Sequence, residues 1–391
     1  MRVLASTTAG TGHFLPMVPV LAACAEAGHE VLVACPESFA SSVVDAGFDV
    51  APFDDAPPDQ WGPVMSRLPG LPPDEANRIV VGEIFGRIDT TAALPRLTAT
   101  VEDWRPDLVL RDPTEFASWL LVRRLALQTA RVSIGLLSLD AEWAGVAAAS
   151  LGELPAAAGV DCSAASLAGG HALAAAPAVF DPPDQGAGVA VHRFRGPVPP
   201  EGRPATIPQG DDPLVYVTFG TVAAKLGVWP GLYRAALDGL ADLPVRVLLT
   251  TGAEVDAADL GPLPRSVAVE RFVPQDAVLR HADVMVTHGG FGTVLGGVRA
   301  GVPMVVAPLF ADQPYNAERV AAMGAGVTVP TSLDPGAVPE QFPKAVRAAV
   351  QQCLDDPSYR SSSRALAEAM GSHPPVESVV STLEAIAQRG G

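Results

Sequence analysis

The strongest constraint in this sequence is a strand–helix–strand rhythm that runs twice, broken once by a segment rich in proline and glycine. "RVLAS" (2–6) is a short strand-forming run. A helical pattern follows over about 13–27, with Leu15, Val18, Leu21 and Ala22 as its apolar positions and Gly28 placed to stop it. "EVLVA" (30–34) is the next strand. Such a unit needs parallel strands and a right-handed crossover. Further strands are predicted at 48–52, 108–110 and 129–134. The break, "GPVPPEGRPATIPQGDDP" (196–213), holds six prolines and three glycines, a density that reads as a linker. The rhythm then resumes with strands at 214–219, 245–250, 267–270, 283–287 and 304–308 and helices near 229–241 and 293–300. Helices near 340–355, 359–370 and 376–388 finish the chain.

The fold class is therefore α/β, with two Rossmann-like parallel-sheet domains at 1–198 and 214–372. The linker spans 199–213, and a C-terminal helical segment at 373–391 is placed back on the first domain. A length of 391 residues suits two domains. In such sheets ligands lie beyond the carboxyl ends of the strands, often in a cleft between domains. The Pro-, Asp- and Gly-rich stretch 54–73 reads as a long loop, functional or merely exposed.

Composition narrows the function. Hydrophobic residues at 48% and charged residues at 18% describe a globular, soluble chain. The formal net charge of −17 disfavours nucleic acid as a partner. Cys24, Cys35, Cys162 and Cys353 are scattered with no C-x-x-C pair, so neither a zinc site nor a disulfide framework is indicated, and a reduced, cytoplasmic setting is expected. The alanine-rich stretch 144–180 is too often interrupted to span a membrane, and the first residues do not form a signal peptide.

The richest segment is "DVMVTHGGFGTVLGGVRAGVPMVVAPLFADQPYNAERV" (283–320). A strand ends at Thr287, and His288-Gly289-Gly290-Phe291-Gly292-Thr293 leads into a helix. Glycines admit a ligand close to the backbone, and free N–H groups at a helix start favour a phosphate; the same turn can be purely structural. It is not a P-loop, because no Gly-Lys-Ser/Thr follows. "TFGTV" (218–222), "RFVPQ" (271–275) and "FADQPYN" (310–316) supply further polar or glycine-bearing strand ends in the same domain. Together they suggest a nucleoside-diphosphate site with a hydroxyl-rich group beyond the phosphates.

This set resembles the carboxyl-terminal domain of family-one, nucleotide-sugar-dependent glycosyltransferases of the GT-B fold, in the style of bacterial enzymes that decorate polyketide antibiotics. The resemblance is specific over about 214–330 and the opening loop. It implies that Phe272 stacks on the base while the Val273 backbone bonds its edge. Thr221, His288, Gly290, Gly292 and Thr293 would hold the diphosphate, with Gly12 approaching the donor from the first domain. Asp312 and Gln313 would bind sugar hydroxyls. Members that use uridine donors commonly carry a Glu eight positions after the motif histidine, where it binds the ribose; here that position is Gly296. A thymidine (TDP) donor, which lacks the 2′-hydroxyl, is therefore favoured over UDP.

In "TTAGTGHFLP" (7–16) a dinucleotide fingerprint counted from Gly10 would need its third glycine at Leu15, which disfavours NAD. His13 matches the family's general base, and Asp112 in "LVLRDPTEF" matches its partner carboxylate. Histidine titrates near working pH, and a helix start would favour its neutral form. Asp112 could instead cap a helix beginning near Pro113, with Glu115 completing a capping-box-like arrangement. No D-x-D motif occurs, so no metal or other cofactor is expected and helix-end N–H groups would meet the leaving phosphate.

The reaction read from the resemblance is inverting transfer of a (deoxy)sugar from a nucleoside diphosphate to a hydroxyl of a small hydrophobic natural product. The acceptor is expected near 54–90 and 136–143, where Trp61, Met65, Phe85 and Trp143 are either pocket contacts or plain core. The partners expected are donor and acceptor, with no membrane; a homodimer stays open. A non-catalytic homologue that activates a partner enzyme and a sugar-nucleotide epimerase on the same fold remain as alternatives.

Overall fold

The computed structural model describes residues 1–182, 188–197, 204, 206–252, 255–331 and 338–390. The chain divides into two compact units, one made of Met1–Pro197 with His373–Gly391 and the other of Val198–Ser372. Of the linker stretch 199–213, positions 199–203 and 205 lie outside the described residues.

The first unit holds β1 (Arg2–Ser6), β2 (Glu30–Pro36), β3 (Asp49–Phe53), β4 (Leu108–Arg111), β5 (Thr129–Val132), β6 (Gly170–Ala174) and β7 (Val189–Arg193). They form one parallel sheet in the order β3-β2-β1-β4-β5-β6-β7. The direction of strand addition reverses between β1 and β4, so the loops leaving those two neighbours diverge and leave a crevice. β1 is buried on both faces from Val3 onward, as a strand covered by helices on both sides must be. On one face Val3, Ala5, Phe14, Met17 and Leu21 pack with Val379, Leu383 and Ile386 of the helix Val379–Ala387. On the other, Leu4, Ala34 and Phe53 meet Leu97 and Leu121.

The second unit repeats the plan. β8 (Leu214–Thr218), β9 (Arg246–Thr250), β10 (Val267–Glu270), β11 (Val284–Thr287), β12 (Met304–Val306) and β13 (Gly326–Thr328) pair in parallel in the order β10-β9-β8-β11-β12-β13. The reversal here falls between β8 and β11. Val215, Val217, Val247, Val284 and Val286 pack against Phe342, Val346 and Val350 of the helix Phe342–Asp355.

The predicted helix over 13–27 is two pieces, Thr11–Phe14 and Val18–Glu26. Pro16 lies between them and has no N–H to carry the hydrogen-bond ladder on. The second piece ends as expected: Gly28, at φ 85°, donates to Ala25, and His29 donates to Cys24 at 3.0 Å, a left-handed closure that favours glycine. The stretch 54–73 is not one loop, because Pro58–Met65 is a helix with a proline in its first turn and Asp59 beside it. Next come Pro73–Ile79 and a wide-turned π-helix, Val80–Asp89. β6 and β7 ("GHALA", "VAVHR") and the three-residue β13 went unpredicted; in β6, glycine, histidine and alanine carry little strand preference, and β13 is only three residues long.

Candidate active site

At the switch point of the first sheet the loops after β1 and β4 bring His13 and Asp112 together, 99 residues apart in sequence and 2.7 Å apart in space. Asp112 follows β4 directly, and its backbone N–H bonds Ser6 of β1, which fixes it against that strand. Its side chain has no exposure to solvent, while that of His13 is 23% exposed. The Thr114 backbone N–H and hydroxyl donate to Oδ1 at 2.8 and 2.9 Å, and the Thr8 hydroxyl donates to Oδ2 at 3.1 Å. Burial pushes the Asp112 carboxyl up, but the charge of His13 and the hydrogen bonds from His13 and Thr114 outweigh it and hold the pKa at about 2. An ionised carboxylate only accepts, so His13 Nδ1 is the donor and Nε2 is the basic nitrogen of the neutral ring.

Two expectations change here. Asp112 is not a helix cap: the helix is Phe116–Arg124, and Glu115 caps it by accepting from the Ala117 and Ser118 N–H groups. Nor does a helix dipole set the state of His13. The helix Thr11–Phe14 is a single turn, and His13 lies at its carboxyl end. The tautomer comes from Asp112 instead. Gly12 is in the same turn, with open space where a side chain would stand.

Of the four apolar candidates, Phe85 reaches this site, its ring centroid 5.5 Å from that of His13 in an edge arrangement. Trp143 packs with Phe85 against a core of Val81, Phe116 and Trp119. Met65 is half-buried and Trp61 is 43% exposed, both on the helix Pro58–Met65.

In the second unit the equivalent switch point gathers the glycine-rich turns. His288 follows β11 and is buried, and a side-chain carbon added at Gly220 or Gly290 would lie 2.7 or 2.6 Å from its Nε2. Those two glycines therefore clamp the ring, Gly220 with φ 74°. Burial lowers the His288 pKa to about 4, with a hydrogen bond to the Thr218 backbone opposing, so the ring is neutral at pH 7. The helix Phe291–Ala300 starts at Gly290 with no side-chain cap, and space is open beside Gly292. Its first N–H groups can receive an anion. Thr293 is half-buried in the first turn, and Thr221 is exposed just after Gly220. Phe272 is 75% exposed, a bare aromatic face beside the buried Val273.

The residues after β12 are tied into the turn that carries them. Gln313 is buried, and its Oε1 accepts from the Leu309 and Phe310 N–H groups at 2.8 and 3.0 Å, so its carbonyl shapes the turn. Asp312 Oδ2 accepts from Asn316 Nδ2 at 2.7 Å, and Asn316 also donates to the Gly289 carbonyl. Asn316 thus ties Asp312 to the glycine turn. Its i, i+4 spacing from Asp312 was the available signal. Thr8 and Thr114, which hold Asp112, stood beside named residues but carried no pattern of their own. Among the described residues no group of three or more His, Cys, Asp and Glu converges as a metal site.

Residues 234–386 match the family described as erythromycin biosynthesis protein CIII-like, C-terminal domain. The L-demethylnoviosyl transferase of Streptomyces niveus is 32% identical over 389 residues, covering 96% of this chain and 95% of its own. The chain belongs to this glycosyltransferase family. The glycosyltransferase is also 30% identical to the 4'-demethylrebeccamycin synthase of Lentzea aerocolonigenes, over 98% of this chain and 99% of that one. Among solved structures, the calicheamicin glycosyltransferase CalG4 superposes with a TM-score of 0.80 at 25% identity, covering 99% of this chain and 98% of that one. The Streptomyces sp. SF2575 enzyme SsfS6, complexed with thymidine diphosphate, gives 0.74 at 26% identity over 98% and 99% of the two chains. The fold is GT-B, and the chain is an enzyme of sugar transfer from nucleotide sugars.

Proposed function

We propose that this glycosyltransferase moves a sugar from a TDP donor to a hydroxyl of a small apolar natural product, with inversion at the anomeric carbon. The observation that carries the reading is the His13–Asp112 pair, 2.7 Å apart at the switch point of the first sheet. Nε2 of His13 removes the acceptor proton as the oxygen attacks, and Asp112 steadies the imidazolium that forms. The sugar–phosphate bond breaks on the opposite face, and the diphosphate leaves carrying the electron pair. The N–H groups at the start of the helix Phe291–Ala300, with Thr293 and Thr221, meet its charge, so the reaction runs without a metal ion. Phe272 offers its face to the base, and Asp312, held by Asn316, receives sugar hydroxyls.

The TDP preference has support in the second unit. A side-chain carbon at Gly296 would run into the amide Nε2 of Gln275. Gln275 therefore fills the space in which relatives with uridine donors are expected to hold a ribose-binding Glu. The neighbour SsfS6, solved with thymidine diphosphate, fits the same choice.

The test is product analysis with TDP- and UDP-sugars against aromatic and macrocyclic polyketides, by mass spectrometry and anomeric NMR. A β-linked product from an α-linked donor, formed faster from TDP and unaffected by EDTA, is expected. Retention of configuration, or equal use of UDP, overturns the corresponding part.

A further inference from the structure

Arg111 and Arg131 are register partners on the neighbouring strands β4 and β5, and each is only 3% exposed. Partners in register point to the same face of a sheet, so two guanidinium groups share one buried position and repel. Beside them, in the first unit, lies a cavity of about 360 Å³. Trp119 and Arg123 of the helix Phe116–Arg124 form one wall, Ser166 of the helix Ala164–Ala168 another, and His171 of β6 closes it. Among the described residues three arginines line this cavity and no Asp or Glu does, in a chain whose formal net charge is −17.

The surrounding groups cancel only part of this charge. Asp140 Oδ2 lies 3.4 Å from Arg131 Nε, and Arg131 Nη1 donates to the Gly169 carbonyl at 2.9 Å. Arg111 is held by carbonyls: its Nη2 donates to Leu167 at 2.9 Å, and its Nη1 to Asp112, Pro113 and Glu115 at 3.3 to 3.4 Å. Two nearby carboxylates are engaged elsewhere, Asp112 with His13 and Thr114 and Glu115 with the Ala117 and Ser118 N–H groups. Arg123 is exposed and forms no ion pair among the described residues. Nε of Arg111 and Nη2 of Arg131 take no part in the bonds above, so each keeps an N–H donor. Burial, and next the charge of Arg131, lower the Arg111 pKa to about 10 against Glu115, Asp112 and Asp140, which leaves it charged at pH 7. A buried cation in such a place is costly unless an anion joins it.

We propose that this cavity binds a small organic anion, its carboxylate or phosphate oxygens held by the guanidinium groups of Arg111, Arg123 and Arg131. Guanidinium presents a planar fork of donors that matches both oxyanions. The volume falls at the lower end of the range of about 300–1,000 Å³ that ligand pockets occupy, so the cavity has room for more than a bare ion. Trp119 adds an apolar wall for the remainder of the molecule. The site goes beyond sugar transfer and does not depend on that reading.

The test is isothermal titration of the full chain with citrate and with inorganic phosphate, at an ionic strength held constant with sodium chloride. Thymidine diphosphate is present at saturation, so that any site for nucleotide phosphates is already filled. Wild type is expected to bind at a single saturable site, and the tighter of the two probes assigns the ligand as a carboxylate or a phosphate. Arg123 is exposed, so its replacement leaves the core intact. Arg123→Ala is expected to weaken binding about tenfold, the scale of one charge-assisted hydrogen bond, and Arg123→Glu by more. Arg265→Ala, at an exposed position of the second unit, should leave the affinity within about twofold of wild type. The bound anion should also raise the Tm of wild type, and less so that of Arg123→Glu. Absence of saturable binding to either probe, or wild-type affinity in both Arg123 variants, overturns the assignment. An equal loss in Arg265→Ala overturns it too, because binding would then follow overall charge rather than this cavity.

Discussion

At the residue scale the account rests on how side chains from distant loops satisfy one another. Asp112 is fully buried and takes bonds from Thr8, His13 and Thr114, so removing its charge leaves donors unmet and frees the wrong tautomer of His13. Asp112→Asn is expected to lower kcat by about 10²-fold or more with little change in donor KM, read by steady-state kinetics. The sign of its pH dependence follows from its depressed pKa. The contribution of Asp112 to stability is complete above the ordinary carboxyl value of about 3.9 and is lost as pH falls through about 2. A Tm gap between wild type and Asp112→Asn should therefore narrow as pH falls through about 2. In the second unit, Gly296→Glu with Gln275→Ala is expected to shift the UDP to TDP ratio of kcat/KM toward UDP by about tenfold, the effect of one restored hydrogen bond to a charged group. An unchanged ratio would remove Gln275 and Gly296 from donor choice. The sequence named His13 and Asp112 through resemblance, but their supporters were illegible. Thr8 lies 104 residues from Asp112, and no local pattern links residues that meet only across a folded sheet.

At the element scale, what could be read was what periodicity encodes. Valine-rich runs such as "LVYVT" and "VMVT" are strands because both of their faces are buried, and they were predicted within a residue or two. "GHALA" was not, because β5 and β7 recruit it by pairing on either side rather than by intrinsic preference. The helix at Pro58–Met65 was hidden by its own starting signal, since prolines that open a helix also mark loops. The turn after β11 shows the opposite case, in which glycine spacing was legible and its reason was not. Gly220 and Gly290 clamp His288 as well as leaving room for a ligand. Gly290→Ala is expected to push the His288 ring aside and raise donor KM about tenfold or more while acceptor KM holds. Isothermal titration with thymidine diphosphate reads the same loss directly, and an unaltered affinity would leave the clamp without a role in donor binding.

At the scale of the whole molecule, the two units share one plan: a parallel sheet whose order reverses once, with His13 and Asp112 at the first reversal and Gly220, His288 and Gly290 at the second. The linker stood out because its density of proline and glycine interrupts the strand–helix periodicity of the sequence. The return of the last helix to the first unit has an energetic consequence. Leu383 has no exposure and packs with Val3, Phe14 and Leu21. Leu383→Ala is expected to cost about 2–5 kcal/mol of folding free energy, measured by denaturant unfolding, and a cost near zero would contradict that packing. No helix among the described residues is long and apolar enough to cross a membrane.

The most direct test of the central claim is single-turnover sugar transfer by His13→Ala at saturating acceptor, with thymidine diphosphate affinity measured on the same preparation. Removing a positioned general base is expected to slow transfer by about 10²- to 10⁴-fold while nucleotide affinity stays within about twofold of wild type. Transfer within about threefold of the wild-type rate, at intact affinity, would show that His13 is not the base and would contradict the account.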